Sequence, residues 1–228
     1  MFKRETAVPV LALSFASAVS VALILARVVW TGRLHHGFLA WNLFLAWLPL
    51  LFALMAAHEH RGNVPSFWRL LVWAGAWLLF LPNAPYICTD LIHLSSRLYG
   101  HYWLDLTLIL LCAFTGLVLG FVSLYLIQEI VVKRFGRMAG WFFVMAILGL
   151  SSVGVYLGRF LRLNSWDVIV RPFHVYHGLA AWMTSPMLKS SAGFLVLFAT
   201  FLLVAYVMLY ALTHLSPTRP AEFASAQS

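Results

Sequence analysis

Charged side chains are scarce in this sequence. Asp, Glu, Lys and Arg together make up 10% of its 228 residues, whereas soluble globular domains contain about 25%. Hydrophobic residues make up 63%, and the mean hydropathy is +0.90. This composition excludes a soluble domain and identifies an integral membrane protein.

Cysteines and the common catalytic signatures are also nearly absent. Only Cys88 and Cys112 occur, which excludes a disulfide framework and the cysteine spacing of a zinc site. The sequence has no Walker loop, dinucleotide fingerprint, Gly-x-Ser-x-Gly elbow or His-Glu-x-x-His motif. The net charge of +8 comes from basic residues scattered between apolar segments. We interpret them as anchors against anionic lipid, and no nucleic acid is expected as a partner.

Apolar segments long enough to cross a bilayer dominate what is present. A spanning helix needs about 20 apolar residues, and six segments approach or exceed this length: residues 7–30, 37–57, 67–81, 103–128, 139–156 and 187–212. We predict an all-α polytopic membrane helix bundle of about six transmembrane helices. Residues 1–215 are expected to form a single integral membrane domain, and the polar residues 216–228 a disordered tail.

The distribution of charge predicts an orientation. Six spanning helices place both termini on one side, and the basic N-terminus and the 133–137 loop favour cytoplasmic termini in the cell inner (plasma) membrane. Asp90, Asp105 and Asp167 all fall on the opposite side. The outer face is therefore the predicted location of a functional site.

Two prolines interrupt the third segment. Pro82 and Pro85 remove backbone donors, so the third helix should end near Leu81. Asn83 is the predicted N-cap of a shorter helix that follows. At helical spacing, one face of that helix would carry Tyr86, Asp90, His93 and Arg97.

The polar face after this break suggests two kinds of chemistry. Asp90 and His93 could act as an acid/base pair or ligate a metal, with His101 and Asp105 as further ligands. The alternative is a hydrogen-bonded cluster without a metal, in which Asp90 fixes a histidine or pairs with Arg97. The pattern identifies neither a metal nor another cofactor, and whether the protein is an enzyme stays open.

A second polar motif follows the fifth segment. Arg159 and Arg162 share one helical face, and their planar guanidinium groups suit a carboxylate or phosphate. The alternative is anchoring to phospholipid or pairing with Asp90 and Asp167. Residues 164–167, Asn-Ser-Trp-Asp, resemble a helix start, and the residues through Trp182 suggest a helix lying in the membrane interface between the fifth and sixth spans.

Two stretches resemble signature segments of an uncharacterised bacterial family of multi-pass membrane proteins, catalogued as domain of unknown function 1361. They are residues 81–94 (LPNAPYICTDLIHL) and 156–167 (YLGRFLRLNSWD), and the resemblance extends over residues 40–215. Cys88 stands where an aliphatic residue is expected, which argues against its being a ligand. The resemblance implies a multi-pass bacterial membrane protein, and it implies no reaction, substrate or cofactor.

The favoured functional hypothesis is a membrane protein that binds or processes a lipid-linked or anionic substrate at the outer face through an Asp/His/Arg cluster. The candidate catalytic residues are Asp90 and His93, and the candidate binding residues are Asn83, Tyr86, Thr89, Arg97, Arg159, Arg162, Asn164, Trp166 and Asp167. Membrane lipids and a lipid-linked or anionic small molecule are the expected partners, with the oligomeric state open. A small transporter or channel and an accessory protein that binds another protein are the alternatives.

Overall fold

A computed structural model describes residues 4–32, 37–61, 67–94 and 102–214, and all regular structure in these ranges is helical. The α-helices are α1 (Arg4–Thr31), α2 (Gly37–Arg61), α3 (Phe67–Phe80), α4 (Asn83–Tyr86), α5 (Tyr102–Phe135), α6 (Arg137–Phe160), α7 (Asp167–Val170), α8 (Pro172–Thr184) and α9 (Met187–Thr213). A 3-10 helix, Ile87–Leu94, follows α4 directly.

Six helical segments are long and apolar enough to cross a membrane. They are Val8–Thr31, Gly37–Arg61, Phe67–Ile92, Tyr102–Phe135, Arg137–Phe160 and Leu188–Thr213. The prediction of an all-α fold with about six spanning helices is therefore confirmed, and the protein is a multi-pass membrane protein. No observation tests the predicted single domain over 1–215, and the predicted tail 216–228 lies outside the described residues.

Helix α5 lies at the centre of the bundle. It packs against α1, α2, α4, α6 and the 3-10 helix. In the most apolar 18-residue stretch of α5, 56% of the residues are buried. In the most apolar 18-residue stretch of α9, only 11% are buried. Apolar side chains of α9 therefore face mainly outward, as expected of a helix in contact with lipid.

The third spanning segment changes its helical form partway. Helix α3 ends at Phe80, Leu81 and Pro82 form a turn, and α4 begins at Asn83. The prediction that Asn83 is an N-cap is wrong: Pro82 occupies that position, and no side chain caps the helix. Instead, the Asn83 amide donates to the Phe80 carbonyl at 3.0 Å and so satisfies a carbonyl at the end of α3.

The segment after the break is a 3-10 helix rather than the predicted α-helix. It has about three residues per turn instead of 3.6, so the predicted common face of Tyr86, Asp90, His93 and Arg97 does not follow from their spacing. Ile87 packs closely on α5 because Gly116 leaves room: a Cβ at Gly116 would lie 2.8 Å from Ile87 Cδ1 and 2.9 Å from the Ala84 carbonyl oxygen. The broken segment is thus held by the central helix.

Two short helices connect the fifth and sixth spanning helices. Helix α7 ends before Arg171, which has φ −139° and ψ 58° and so lies outside the α region that a following proline disfavours. Helix α8 then begins at Pro172 and exposes Phe173 and Tyr176. A helix is present where the sequence predicted one, and its position in the membrane interface stays a prediction.

Candidate functional site

A buried ion pair joins the broken third segment to the end of α6. Arg159 Nη2 donates to Asp90 Oδ1 at 2.7 Å, and the Asp90 side chain is 2% exposed. The second carboxylate oxygen, Oδ2, accepts a hydrogen bond of 2.9 Å from the Asn42 amide on α2. A buried carboxylate requires such partners, and these bring α2, α6 and the 3-10 helix together at one end of the bundle, hereafter the site end.

The guanidinium group of Arg159 has further contacts. Its Nε donates to Thr89 Oγ1 at 3.0 Å, and this hydroxyl donates to the Tyr86 carbonyl at 2.6 Å. The guanidinium carbon lies 4.9 Å from the centroid of the Tyr86 ring, within the range of a cation–π interaction. Arg159 is therefore fixed between a carboxylate, a hydroxyl and an aromatic face.

A second buried ion pair lies at the site end, between α1 and α5. Arg27 donates to Asp105 through Nε at 2.7 Å and through Nη2 at 3.2 Å. This bidentate geometry is the strong form of an arginine–carboxylate pair. Asp105, suggested above as an additional metal ligand, is thus engaged with a cation. Among the described residues no three His, Cys, Asp or Glu side chains form a group that could hold a metal.

A cavity of about 590 Å³ opens beside the first ion pair. Its polar lining lies at the site end and consists of Trp41, Asn42, Asn83, Tyr86, Asn164, Ser165 and Trp166. Its apolar lining continues along the bundle on α3 and α6 and includes Gly75, Leu78, Leu79, Leu150, Val153 and Leu157. The volume is typical of small-molecule sites, and the two ends differ in chemistry.

The segment after α6 covers the polar end of the cavity. Asn83 Nδ2 donates to Ser165 Oγ at 3.0 Å, which ties this segment to the broken helix. Asp167 Oδ2 accepts from the backbone N–H of Asn164 at 2.8 Å and from its side-chain amide at 3.2 Å. The Trp166 ring meets Trp41 edge-on, with 6.2 Å between the ring centroids. Residues 164–167 are thus held over the cavity by contacts with α2 and α4, which are far from them in the sequence.

The sequence-predicted residues fall into three groups. Those that line the cavity are Asn83, Tyr86, Asn164 and Trp166. Thr89, Asp90 and Arg159 stand behind Tyr86 and Asn42 rather than in the cavity wall, and Arg162 and Asp167 are also not part of its lining. Arg97 and the His93 side chain lie outside the described residues, so their predicted roles stay predictions.

Sequence reasoning missed three cavity residues. Trp41 shows no distinguishing pattern in the sequence, and Ser165 was predicted only as part of the helix start at residues 164–167. The sequence does contain a signal for Asn42, because this residue is a lone amide in the apolar first half of α2. A polar side chain inside a spanning segment indicates a site by default.

The site end carries an excess of positive charge. Its basic residues Arg27, Arg159, Arg162, Arg171 and Lys189 outnumber the acidic residues Asp90, Asp105 and Asp167 among the described part of the chain. Two of these basic residues are neutralised in the buried ion pairs. Arg162 is exposed just beyond α6, with a left-handed backbone φ of 56°. The surface next to the cavity therefore favours an anion.

Comparisons with known proteins give a family and no activity. A family model described as "Protein of unknown function (DUF1361)" matches residues 41–207. No curated protein and no solved structure matches the chain.

Proposed function

The chain belongs to the DUF1361 family of proteins of unknown function, and we propose that this membrane protein binds a lipid-linked or anionic substrate at the outer face of the membrane. The family description supplies no activity, so the proposal depends on the chemistry of the cavity. We place the headgroup of the substrate against the polar lining and its apolar part along α3 and α6.

The observation that carries this proposal is the division of one cavity into two chemical halves. Amide and hydroxyl groups of Asn83, Asn164 and Ser165 line the cavity at the site end, whereas leucine and valine side chains line the remainder. Hydrophobic lining with a few polar groups at defined positions is typical of ligand sites. A molecule with a polar head and an apolar chain complements both halves, and the surplus of basic residues selects a negatively charged head.

In this proposal Asp90 and Arg159 are positioning residues. Asp90 holds the Asn42 amide at 2.9 Å, and Arg159 lies against the Tyr86 ring. Asn42 and Tyr86 in turn line the cavity. The ion pair therefore determines how two lining side chains are presented to the ligand.

The first test measures lipid binding by wild type and by the double variant Asn83→Ala/Asn164→Ala. Both proteins are placed in nanodiscs of mixed phosphatidylglycerol and phosphatidylcholine, and native mass spectrometry identifies the lipid retained after release. We expect wild type to retain phosphatidylglycerol. We expect the variant to bind it about 30-fold more weakly, because two hydrogen bonds of about 1 kcal/mol each are lost.

Thr107→Ala is the matched control for this measurement. The Thr107 hydroxyl is exposed on α5 and donates to the Trp103 carbonyl of its own helix at 2.8 Å, and Thr107 does not line the cavity, so its loss should leave lipid retention unchanged. Glycerol phosphate, the soluble headgroup, forms a second arm that detects binding of a free anion. Failure of wild type to retain either molecule contradicts the proposal.

A processing reaction would require more than binding. Asp90, which the sequence suggested as an acid/base pair with His93, has both carboxylate oxygens engaged and does not line the cavity. Any processing of the headgroup would therefore be a step that uses a general acid or base other than Asp90. Lipid mass spectrometry of cells with and without the protein tests this step. A changed pool of one lipid-linked species indicates processing, whereas unchanged pools together with retained lipid indicate binding alone.

The second candidate function is a small transporter. The observation in its favour is the interruption at Pro82, because discontinuous helices are common at transporter binding sites. Uptake of the retained lipid or anion into protein-containing vesicles distinguishes it from a binding protein. An accessory role becomes the better account if neither lipid nor anion binds.

A further inference from the structure

The side wall of the cavity lies between two helices that pack mainly against other partners. Helix α3 packs chiefly on α2, whereas α6 packs chiefly on α5 and α9. The two approach each other closely at the break, where a Cβ at Gly154 would lie 2.5 Å from Pro82 Cγ. Farther from the site end, the apolar cavity residues of α3 face those of α6 across open space.

This side wall contains exposed residues at the level of the spanning helices. Gly75 on α3 is exposed and lines the cavity, and a Cβ added to it would meet no atom within 4 Å. Leu150 on α6 also lines the cavity and is 50% exposed. Both residues lie inside candidate membrane spans. Exposed lining residues at this depth favour an opening toward the hydrocarbon region over one toward water alone.

The apolar lining has the length of a partial lipid chain. From Leu150 to Leu157 it extends about 10 Å along α6, at 1.5 Å per residue. A chain that moves from the bilayer into this lining exchanges one apolar environment for another, because lipid tails are as apolar as leucine. The entry of a chain is therefore not opposed by desolvation, and the polar end is left to select the headgroup.

We propose that the cavity is entered sideways from the bilayer, between α3 and α6, by one hydrocarbon chain of a membrane lipid, with Gly75 at the entrance. This inference rests on the proposed function and narrows its substrate to a membrane-resident lipid. The absence of a side chain at Gly75 keeps the passage open. The lipid headgroup then lies at the polar end while its chain extends between the two helices.

The test is Gly75→Trp, with Gly149→Trp as its matched control. A Cβ at Gly149 on α6 also meets no atom within 4 Å, and Gly149 does not line the cavity. The probe is phosphatidylglycerol with a diazirine in the middle of one acyl chain, incorporated into nanodiscs and activated by light. In wild type we expect crosslinks on the cavity faces of α3 and α6. Gly75→Trp should reduce them at least tenfold, and Gly149→Trp should leave them unchanged.

A second variant distinguishes a blocked entrance from a misfolded protein. Gly75→Leu places a smaller side chain at the entrance, and it should give an intermediate reduction of crosslinking with an unchanged melting temperature. The inference is overturned if Gly75→Trp crosslinks as strongly as wild type, or if the crosslinks in wild type lie only on other helices. In either case the proposed function still stands if wild type retains phosphatidylglycerol. Binding of glycerol phosphate as tight as that of the lipid also overturns it. Wild type that binds glycerol phosphate but retains no lipid overturns this inference alone, and wild type that binds neither contradicts both proposals.

Discussion

Arg162 has a backbone conformation that normally belongs to glycine. Its φ is 56°, directly after the C-cap residue of α6. Helices commonly end with glycine in this left-handed conformation, and another residue there costs about 1 kcal/mol. The turn is held by the Leu163 N–H, which donates to the Leu157 carbonyl at 3.2 Å. Arg162 immediately precedes Leu163 and Asn164, which line the cavity, so we expect its exposed guanidinium group to attract the anionic headgroup of the proposed ligand.

Arg162→Gly separates the two contributions of this residue. Glycine suits the left-handed backbone, so the unfolding free energy should change by no more than about 1 kcal/mol. The affinity for phosphatidylglycerol should fall up to about fivefold, because Arg162 lies outside the cavity lining and an exposed charge contributes up to about 1 kcal/mol. Thermal melting and native mass spectrometry of the same nanodisc sample measure both quantities.

Arg162→Lys is the conservative comparison for this prediction. It keeps the positive charge and loses the planar fork, so its affinity should lie between those of wild type and Arg162→Gly. A glycine variant that melts earlier yet binds phosphatidylglycerol as wild type does would assign Arg162 to the structure of the turn alone.

Single residues also show where sequence reasoning stops. Pairing of Arg159 with Asp90 was one of the alternatives, and identifying it needed the fold; the alternative partner Arg97 lies outside the described residues. The ion pair between Arg27 and Asp105 spans 78 residues of sequence and was not anticipated. Such pairs depend on which helices become neighbours, and local spacing contains no information on that.

At the scale of elements, the broken third segment depends on small residues opposite it. The rigid ring of Pro82 lies against Gly154, where any side chain would collide with it. On the other side, Gly116 admits Ile87 and the Ala84 carbonyl. Glycines that allow close approach are characteristic of helix packing in membranes. Here Gly116 and Gly154 allow α4 to pack between α5 and α6, which places Asn83 at the polar end of the cavity.

Gly154→Ala should disturb the packing of Pro82 and α4 against α6. The new methyl group would lie 2.5 Å from Pro82 Cγ and 2.7 Å from Pro82 Cβ, and a proline ring cannot rotate away. We expect a loss of about 1–3 kcal/mol in unfolding free energy, the usual effect of overpacking, together with weaker lipid retention. Denaturant titration of the detergent-solubilised protein measures the first effect.

Gly149→Ala on the same helix controls for the loss of glycine itself. Its methyl group would meet nothing within 4 Å, so the stability should stay equal or rise slightly with the better helix propensity of alanine. Equal stability of the two alanine variants would show that α4 can shift without cost.

The sequence predicted the location of the spanning helices better than the type of helix within them. Hydropathy located all six spanning segments, because a long apolar helix follows directly from bilayer thickness. It also indicated that Pro82 and Pro85 end the third helix. The 3-10 form of residues 87–94, which pack against α5, was not predicted, since no proline or cap inside the segment indicates it.

On the scale of the whole molecule, the acidic residues divide between the two ends of the bundle. Asp90 and Asp105 bind arginines at the site end. At the opposite end, Glu59 pairs with Arg69 at 3.2 Å, and Glu129 lies one turn from Lys133. The common side of the aspartates was predicted from the order of the spans alone, because helices that alternate in direction return every second loop to the same side. The cavity could not be predicted, since it depends on the separation of α3 from α6.

The orientation of these two ends in the membrane decides whether the site faces outward. The basic loop between α5 and α6 favours the cytoplasmic side, so we expect residues near it to be protected in intact spheroplasts and α8 to be accessible. With Cys88 and Cys112 replaced by alanine, single cysteines are introduced as Phe135→Cys, 71% exposed at the loop, or Tyr176→Cys, 68% exposed on α8. A membrane-impermeant maleimide should label the second variant directly and the first only after permeabilisation. The reverse pattern would place the Asp90–Arg159 pair and the polar end of the cavity at the cytoplasmic face, so the lipid would have to come from the inner leaflet.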